Sequence, residues 1–322
     1  MWNGLMISEM FFEEYGKPML EEQFKPYKDF IAAGLAGQGS ECFGYDDRIS
    51  RDHDFGAGFC LWIPEDLRED IGEKLKKAYD ALPAKDFILR HRVDVGMAPE
   101  DSLMTGARAY RVGVHSIEEF YFEHTGLTKA PETTEDWIRT PQMYLAEAVN
   151  GKVFYDPSGK FSAIREVWKS FYPEDILKKK VAADCAMAGK TGQFSYSRCL
   201  RRGDIQAAHY CCTEFIYKIT AAMYLLNSKY MPYYKWRARG MEDFTVCKEA
   251  IPLIAELTQL SEAEKNRKQD LIEQISSVVR KELLVREWTW GYSDYLLDHA
   301  KQVMKTISDP ETAALNVFVG ED

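Results

Sequence analysis

The order of apolar and polar residues divides the chain into two parts. Over the first 33 residues, Phe11, Phe12, Met19, Leu20 and Phe24 recur among Glu13, Glu14, Glu21 and Glu22 at helical spacing, which predicts two helices. Gly34-Leu35-Ala36-Gly37-Gln38-Gly39 breaks that rhythm, and its small residues predict a short buried strand entering a tight turn. Residues 55–63 are apolar around Gly56 and Gly58 and predict a second strand. Pro64-Glu65-Asp66 then opens a helix, with proline at the first helical position and carboxylates near the positive helix end. That helix carries Leu67, Ile71, Leu75 and Tyr79 at four-residue steps. Residues 87–95 and 110–117 predict two more strands, and 117–123 a further helix.

From about Thr140 the rhythm becomes mostly helical. Ile205, Ala208, Cys212, Phe215, Ile219, Met223 and Leu226 follow one another at steps of three or four, giving one long helix an apolar face of about six turns. Residues 243–260, 268–284 and 292–307 predict three more helices, and antiparallel packing of four or five such helices is the economical arrangement. Asp156-Pro157-Ser158-Gly159 is a turn signal. The expected fold class is therefore α+β: a small mixed-sheet domain over 1–160, with N-terminal helices, followed by an all-α helical bundle domain over 161–322.

Composition narrows the partners. With 46% hydrophobic and 29% charged residues the chain is that of a globular protein, which excludes disorder or a bare coiled coil. Against 41 Lys and Arg stand 51 Asp and Glu, and the resulting charge of -10 repels phosphate backbones, so no long nucleic acid is expected. The seven cysteines form no CxxC pair, which argues against a disulfide framework and a thiolate zinc site. No run of 18 apolar residues exists, and Met1-Trp2-Asn3-Gly4-Leu5 lacks the basic start of a secretory signal. A cytoplasmic location without a membrane partner is expected.

One stretch carries chemistry. Gln38-Gly39-Ser40 is followed, after eleven residues, by Asp52-His53-Asp54. Gly39 lets backbone approach a ligand closely, and Ser40 adds a hydroxyl and nearby N–H groups, together a turn suited to phosphate. Asp52 and Asp54 lie two apart, so at the start of a strand both leave one face and can share a hard cation such as Mg²⁺. A phosphate turn opposite a metal-holding carboxylate pair is the equipment for nucleotidyl transfer. His53 points to the opposite face, and Asp46 and Asp47 read as loop carboxylates.

At these residues the chain resembles the nucleotidyltransferase superfamily related to polymerase beta. The closer wording, Gly39-Ser40-Glu41-Cys42-Phe43-Gly44 then Ser50-Arg51-Asp52-His53-Asp54, is similar to the family called domain of unknown function 4037, over nearly the whole chain. Gly151-Lys152-Val153-Phe154-Tyr155-Asp156 resembles the segment that ends the catalytic domain in antibiotic-modifying relatives, and residues 226–236 resemble the helical-domain motif. The resemblance implies that Asp52 and Asp54 hold metal, that Gly39 and Ser40 hold phosphates, and that Lys235 reaches the nucleotide phosphates or the substrate. It also implies a third carboxylate on a later strand, where this chain has Gly113; Asp94 in Val93-Asp94-Val95 is a substitute, and Glu118, Glu119 or Glu147 could serve as base.

Arg198, Arg201 and Arg202 precede the long amphipathic helix, and Lys235, Arg237 and Arg239 follow it; each reads as a solvated helix end or as a group offsetting triphosphate charge. Arg202 and His209 also resemble the arginine–histidine pair of helical ribonucleases. Trp288, Trp290, Tyr292 and Tyr295 read as core or interface aromatics. The expectation is a Mg²⁺-dependent transferase moving a nucleoside monophosphate, from ATP, to a hydroxyl of a small-molecule acceptor. The acidic surface and the relatives together suggest that this acceptor is cationic. The alternatives are a nucleotide-binding module without transfer activity and a helical-domain ribonuclease.

Overall fold

In the computed structural model, which describes residues 2–50, 56–96 and 111–322, α1 (Gly4–Phe11) and α2 (Lys17–Gln23) run on through a π-helical stretch at Phe12–Gly16. Asn3 caps the start of α1 by accepting from the Met6 amide at 2.8 Å. The helices stop ahead of Lys25-Pro26, since a proline lacks the N–H and excludes its predecessor from helical backbone. The chain then enters β1 (Ala32–Leu35), two residues earlier than the small-residue run predicts, and turns into α3 (Ser40–Phe43).

Among the described residues, four short strands form one mixed sheet in the order β3-β2-β1-β4, where β2 is Cys60–Ile63, β3 Gly113–Ser116 and β4 Lys152–Tyr155. β1 is antiparallel to β2, with Ala32 opposite Trp62, and antiparallel to β4; β2 and β3 are parallel. Side chains alternate across the sheet. Ala33, Leu61 and Ile63 join Ile7, Phe11 and Phe12 in one apolar core, while Trp62 stacks on Phe161 at 4.0 Å. Gly34 is required between them, because a Cβ there would meet the Lys152 carbonyl oxygen at 2.5 Å and the Trp62 ring at 2.9 Å.

Two expectations are corrected. Residues 87–95 are not a strand: after α4 (Glu73–Asp80), Pro83 precedes α5 (Ala84–Arg90), which ends in turns. Phe87 and Ile88 bury one helical face, and Phe87 meets Phe11 at 5.2 Å, so the apolar run serves a helix. β4 was not predicted, since four half-exposed residues carry little period-two signal. Beyond β3, Ser116 caps α6 (Ile117–Thr125) as the pattern predicts.

The remaining helices are α7 (Thr134–Ile138), α8 (Gln142–Val149), α9 (Lys160–Lys169), α10 (Glu174–Ala188), α11 (Ser197–Arg201), α12 (Ile205–Leu226), α13 (Arg237–Gly240), α14 (Ala250–Gln259), α15 (Lys265–Val285), α16 (Leu296–Met304) and α17 (Pro310–Ala313). Contacts group the chain into unit 1, Met1–Pro131 with Tyr144–Ser170, and unit 2, Glu132–Met143 with Phe171–Asp322. All four strands belong to unit 1. In unit 2, α10 is buried nearly all round and packs against α12 and α16. The apolar stripe of α12 is present from Ala208, but Ile205 is exposed, and beyond Lys218 the helix is buried on every side. No helix among the described residues is long and apolar enough to cross a membrane.

Close approach to β1 gives a direct test of unit 1. Gly151 (φ +66°) would place a Cβ 1.9 Å from the Leu35 carbonyl oxygen, whereas Gly159 (φ +69°) has nothing within 4 Å. Gly159→Ala is expected to cost about 1 kcal/mol, the left-handed backbone term alone, and Gly151→Ala about 3 kcal/mol or more. Equal losses in urea unfolding would mean that β1 and residue 151 do not touch.

Candidate active site

At the end of β1 the chain must reverse sharply, and two left-handed glycines make this possible: Gly37 at φ +104° and Gly39 at φ +119°. Gly39 stands at the N-cap of α3, with Ser40 half-buried behind it. The bend is held from β4's side of the sheet. Asn150 accepts from the Gly37 amide at 2.8 Å and donates to the Gly37 carbonyl at 2.7 Å, and the Gly151 amide donates to the Cys42 carbonyl at 2.7 Å. Buried Arg165, on α9, in turn donates to the carbonyls of Ala148, Val149, Asn150 and Gly151 at 2.6–3.4 Å. Four acceptors are what a buried guanidinium needs to offset its lost hydration.

A guanidinium also faces the bend. Arg111 donates to the Gln38 carbonyl and to Glu41 Oε1, both at 2.9 Å, with both side chains almost wholly buried. A Cβ at Gly39 would fall 2.0 Å from Arg111 Nη1, so glycine is needed both for the backbone angle and for this approach. Sequence reading missed Arg111 because it lies 70 residues from Glu41, its partner across the bend.

Asp52 and Asp54 lie outside the described residues. Among the described residues, no group of three His, Cys, Asp or Glu is arranged to hold a metal ion. Asp47 is tied to Ser50 through both its amide and its carboxylate, and Asp46 accepts from the Gly4 amide at 3.0 Å, so both are the loop carboxylates expected. Asp94 stands on a turn after α5, half-exposed, with its carboxylate 3.1 Å from His91 Nδ1. Gly113 opens β3, and Gly113-Val114-His115-Ser116 carries no carboxylate.

The three candidate bases differ in surroundings. Glu118 accepts from the Glu65 amide at 3.0 Å, and Glu119 pairs with Arg68 at 3.3 Å. Glu147, on α8, is buried, and burial pushes its carboxyl up to about 7. Its Oε2 lies 3.9 Å from His124 Nε2, a ring that burial holds below the usual histidine range. His124 Nδ1 lies 2.8 Å from the Phe120 carbonyl, which assigns the proton to Nδ1 and leaves Nε2 facing Glu147. A Cβ added at Gly37 would stand 3.4 Å from that Nε2, so the pair adjoins the glycine bend.

In unit 2, Lys235 is exposed on a 3₁₀ turn at Tyr234–Trp236, and Arg198, Arg201, Arg202 and Arg239 are exposed as well. Arg237 is instead half-buried over the Tyr217 ring at 4.2 Å. Arg202 and His209 do not share a helix: Gly203 at φ +73° ends one, Asp204 caps the next, and His209 lies 3.5 Å from Glu262. The arginine–histidine spacing thus has no continuous helix beneath it.

Residues 137–237 match the family model described as Domain of unknown function (DUF4037). The match includes residues 151–156 and 226–236 but not the Gly39-Ser40 bend, a narrower stretch than the resemblance implies. No curated protein and no solved structure matches the chain.

Glu147 provides a pH test. Its folded carboxyl titrates near 7 against an ordinary 4.5, so its neutral form stabilises the fold fully below pH 4.5, and that contribution is lost as pH rises through 7. Glu147→Gln keeps the neutral form at all pH. The variant is expected to gain on the order of 3 kcal/mol relative to wild type between pH 4.5 and pH 8.5. A difference that stays flat across that range in chemical unfolding would show that Glu147 titrates normally.

Proposed function

We propose that the chain is a metal-dependent nucleotidyltransferase, with a nucleotidyltransferase-like domain built on unit 1 and an all-α substrate-binding bundle built on unit 2. It moves a nucleoside monophosphate from a nucleoside triphosphate, ATP by preference, to a hydroxyl of a small-molecule acceptor. The observation that carries this reading is the bend at Gly39: a left-handed glycine directly after a buried strand, Ser40 at the head of α3, and the Arg111 guanidinium against the turn. Glu41 neutralises Arg111 at rest, and phosphate oxygens competing for that guanidinium would gain a charge-assisted contact.

Asp52 and Asp54 are the residues that would hold Mg²⁺; as an acidic oxygen pair they fit its preference, and the bound ion would supply neutralisation of the polyphosphate charge. The chain's own groups do the rest. Gly39 and Ser40 position the phosphates, and Glu147, near neutrality in its buried site, takes the proton of the acceptor hydroxyl. The acceptor oxygen forms its bond to the α-phosphorus, the bond to the bridging oxygen breaks, and pyrophosphate leaves. With Asp94 on a turn beside His91, and Glu118 and Glu119 engaged elsewhere, Glu147 fills the role of the third carboxylate.

The absence of a carboxylate from β3 favours a second reading, a nucleotide-binding module without transfer. Pyrophosphate release from ATP and Mg²⁺, measured against a panel of hydroxyl acceptors, separates the two. Wild type is expected to release it, and Asp54→Asn to lose about 100-fold or more while unfolding at the same temperature. Unchanged turnover in Asp54→Asn discards the site, and ATP binding without release under every acceptor supports the second reading.

A further inference from the structure

Unit 2 buries cations that no step above uses. Lys179 and Lys180, consecutive on α10, and Lys218 on α12 are at most 5% exposed. Lysine is almost never buried to this degree unless it is paired. Here the partner is the chain's own acidic segment 317–322. Lys179 donates to the Val317 carbonyl at 3.2 Å and to that of Val319, Lys180 to the Gly320 carbonyl at 3.0 Å, and Lys218 to the Asp322 carbonyl. The Asp322 carboxylate lies 3.4 Å from Lys180 and accepts from the amide and side chain of Gln142, each at 2.6 Å. The Glu321 carboxylate adds a pairing with Lys218 at 3.3 Å, so the ammonium groups take from this segment a row of carbonyl oxygens ending in two carboxylates.

The fit leaves polar atoms unanswered. Asp184 accepts from the Asp322 amide at 3.1 Å through one oxygen, but its other oxygen and the Tyr172 hydroxyl are buried without a hydrogen-bond partner among the described residues. Both side chains feel Asp322, which places them in the same cluster. Charge is also unbalanced: without the segment, three buried ammonium groups would keep, among the described residues, the buried carboxylate of Asp184 and the more exposed one of Glu214, 3.6 Å from Lys218. Burial already lowers Lys179 to about 8, and loss of the anion would leave that cost uncompensated. Gln142, Tyr172, Asp184 and all three lysines lie within the family match, and the segment that fills the space between them lies outside it.

We propose that Lys179, Lys180 and Lys218 form a cage for a polyphosphate anion, with segment 317–322 as an internal competitor that occupies it when that anion is absent. Lysine ammonium groups are compact point charges that suit phosphate oxygens, and a chain of phosphates supplies several such oxygens in a row. The cage lies wholly in unit 2, so it stands or falls separately from the Gly39 bend.

Isothermal titration of the full chain with inorganic tripolyphosphate, repeated with ATP, tests the cage. Glu321→Gln with Asp322→Asn weakens the competitor and is expected to tighten tripolyphosphate binding at least about tenfold over wild type. Adding Lys179→Gln and Lys180→Gln should abolish the gain. Equal affinities identify the phosphate chain as the ligand, and tighter ATP binding adds the nucleoside to it. Should the variants fail to fold, hydrogen exchange of wild type gives the answer: tripolyphosphate should speed exchange across 317–322 at least about tenfold as the segment is displaced. Unchanged affinity in a folded carboxamide variant, or unchanged exchange across 317–322 at millimolar tripolyphosphate, overturns the proposal.

Discussion

The bend at the end of β1 depends on one buried guanidinium. Arg165 gathers the carbonyls of residues 148–151 around its donors, and this fixes Asn150, whose amide then holds Gly37 from both sides. Backbone that would otherwise carry unsatisfied carbonyls becomes a rigid support, and the glycines of the bend receive a single conformation. Position and chemistry meet at this point. A turn that is to hold phosphate must be ordered before the ligand arrives, because ordering it afterwards would subtract from binding.

The two units handle buried charge in different ways. In unit 1, buried Arg165 is matched by carbonyls, and Arg111 by the Gln38 carbonyl and Glu41. Among the described residues Glu147 meets no cation of that kind but an imidazole 3.9 Å away, and so holds its proton near neutral pH. Such a carboxyl is poised to exchange protons under physiological conditions, whereas Glu41, tied to Arg111, serves to neutralise charge. In unit 2, Lys179, Lys180 and Lys218 are matched by segment 317–322, distant in sequence, through carbonyls and two carboxylates that other oxygens could replace.

Local signals in the sequence were legible where neighbours along the chain decide the outcome. Gly37 and Gly39 announce a turn, Ser116 a helix start, and the stripe from Ala208 to Leu226 a long helix. Residues 87–95 misled because Phe87-Ile88-Leu89 is apolar in both a strand and a helix; only the packing of Phe87 on Phe11 decides between them. The Lys178-Lys179-Lys180 run has the appearance of a solvated face, but Lys179 and Lys180 are buried against residues 317–322, beyond the reach of any window. Glu147 was one of three acidic candidates, and burial beside His124, a tertiary property, distinguishes it from Glu118 and Glu119. Arg111 and Arg165 carried no local pattern at all.

The proposed placement of metal and polyphosphate at the glycine bend can be measured without knowing the acceptor. In protein labelled with ¹⁵N-glycine, Mn²⁺ added together with a non-hydrolysable ATP analogue should broaden the amide signals of Gly37 and Gly39 strongly, since paramagnetic relaxation falls steeply with distance. The same titration with Mg²⁺ should shift those signals without broadening them. Sharp Gly37 and Gly39 signals in the presence of saturating Mn²⁺ and nucleotide, with broadening confined to other glycines, would contradict a nucleotide site at the end of β1.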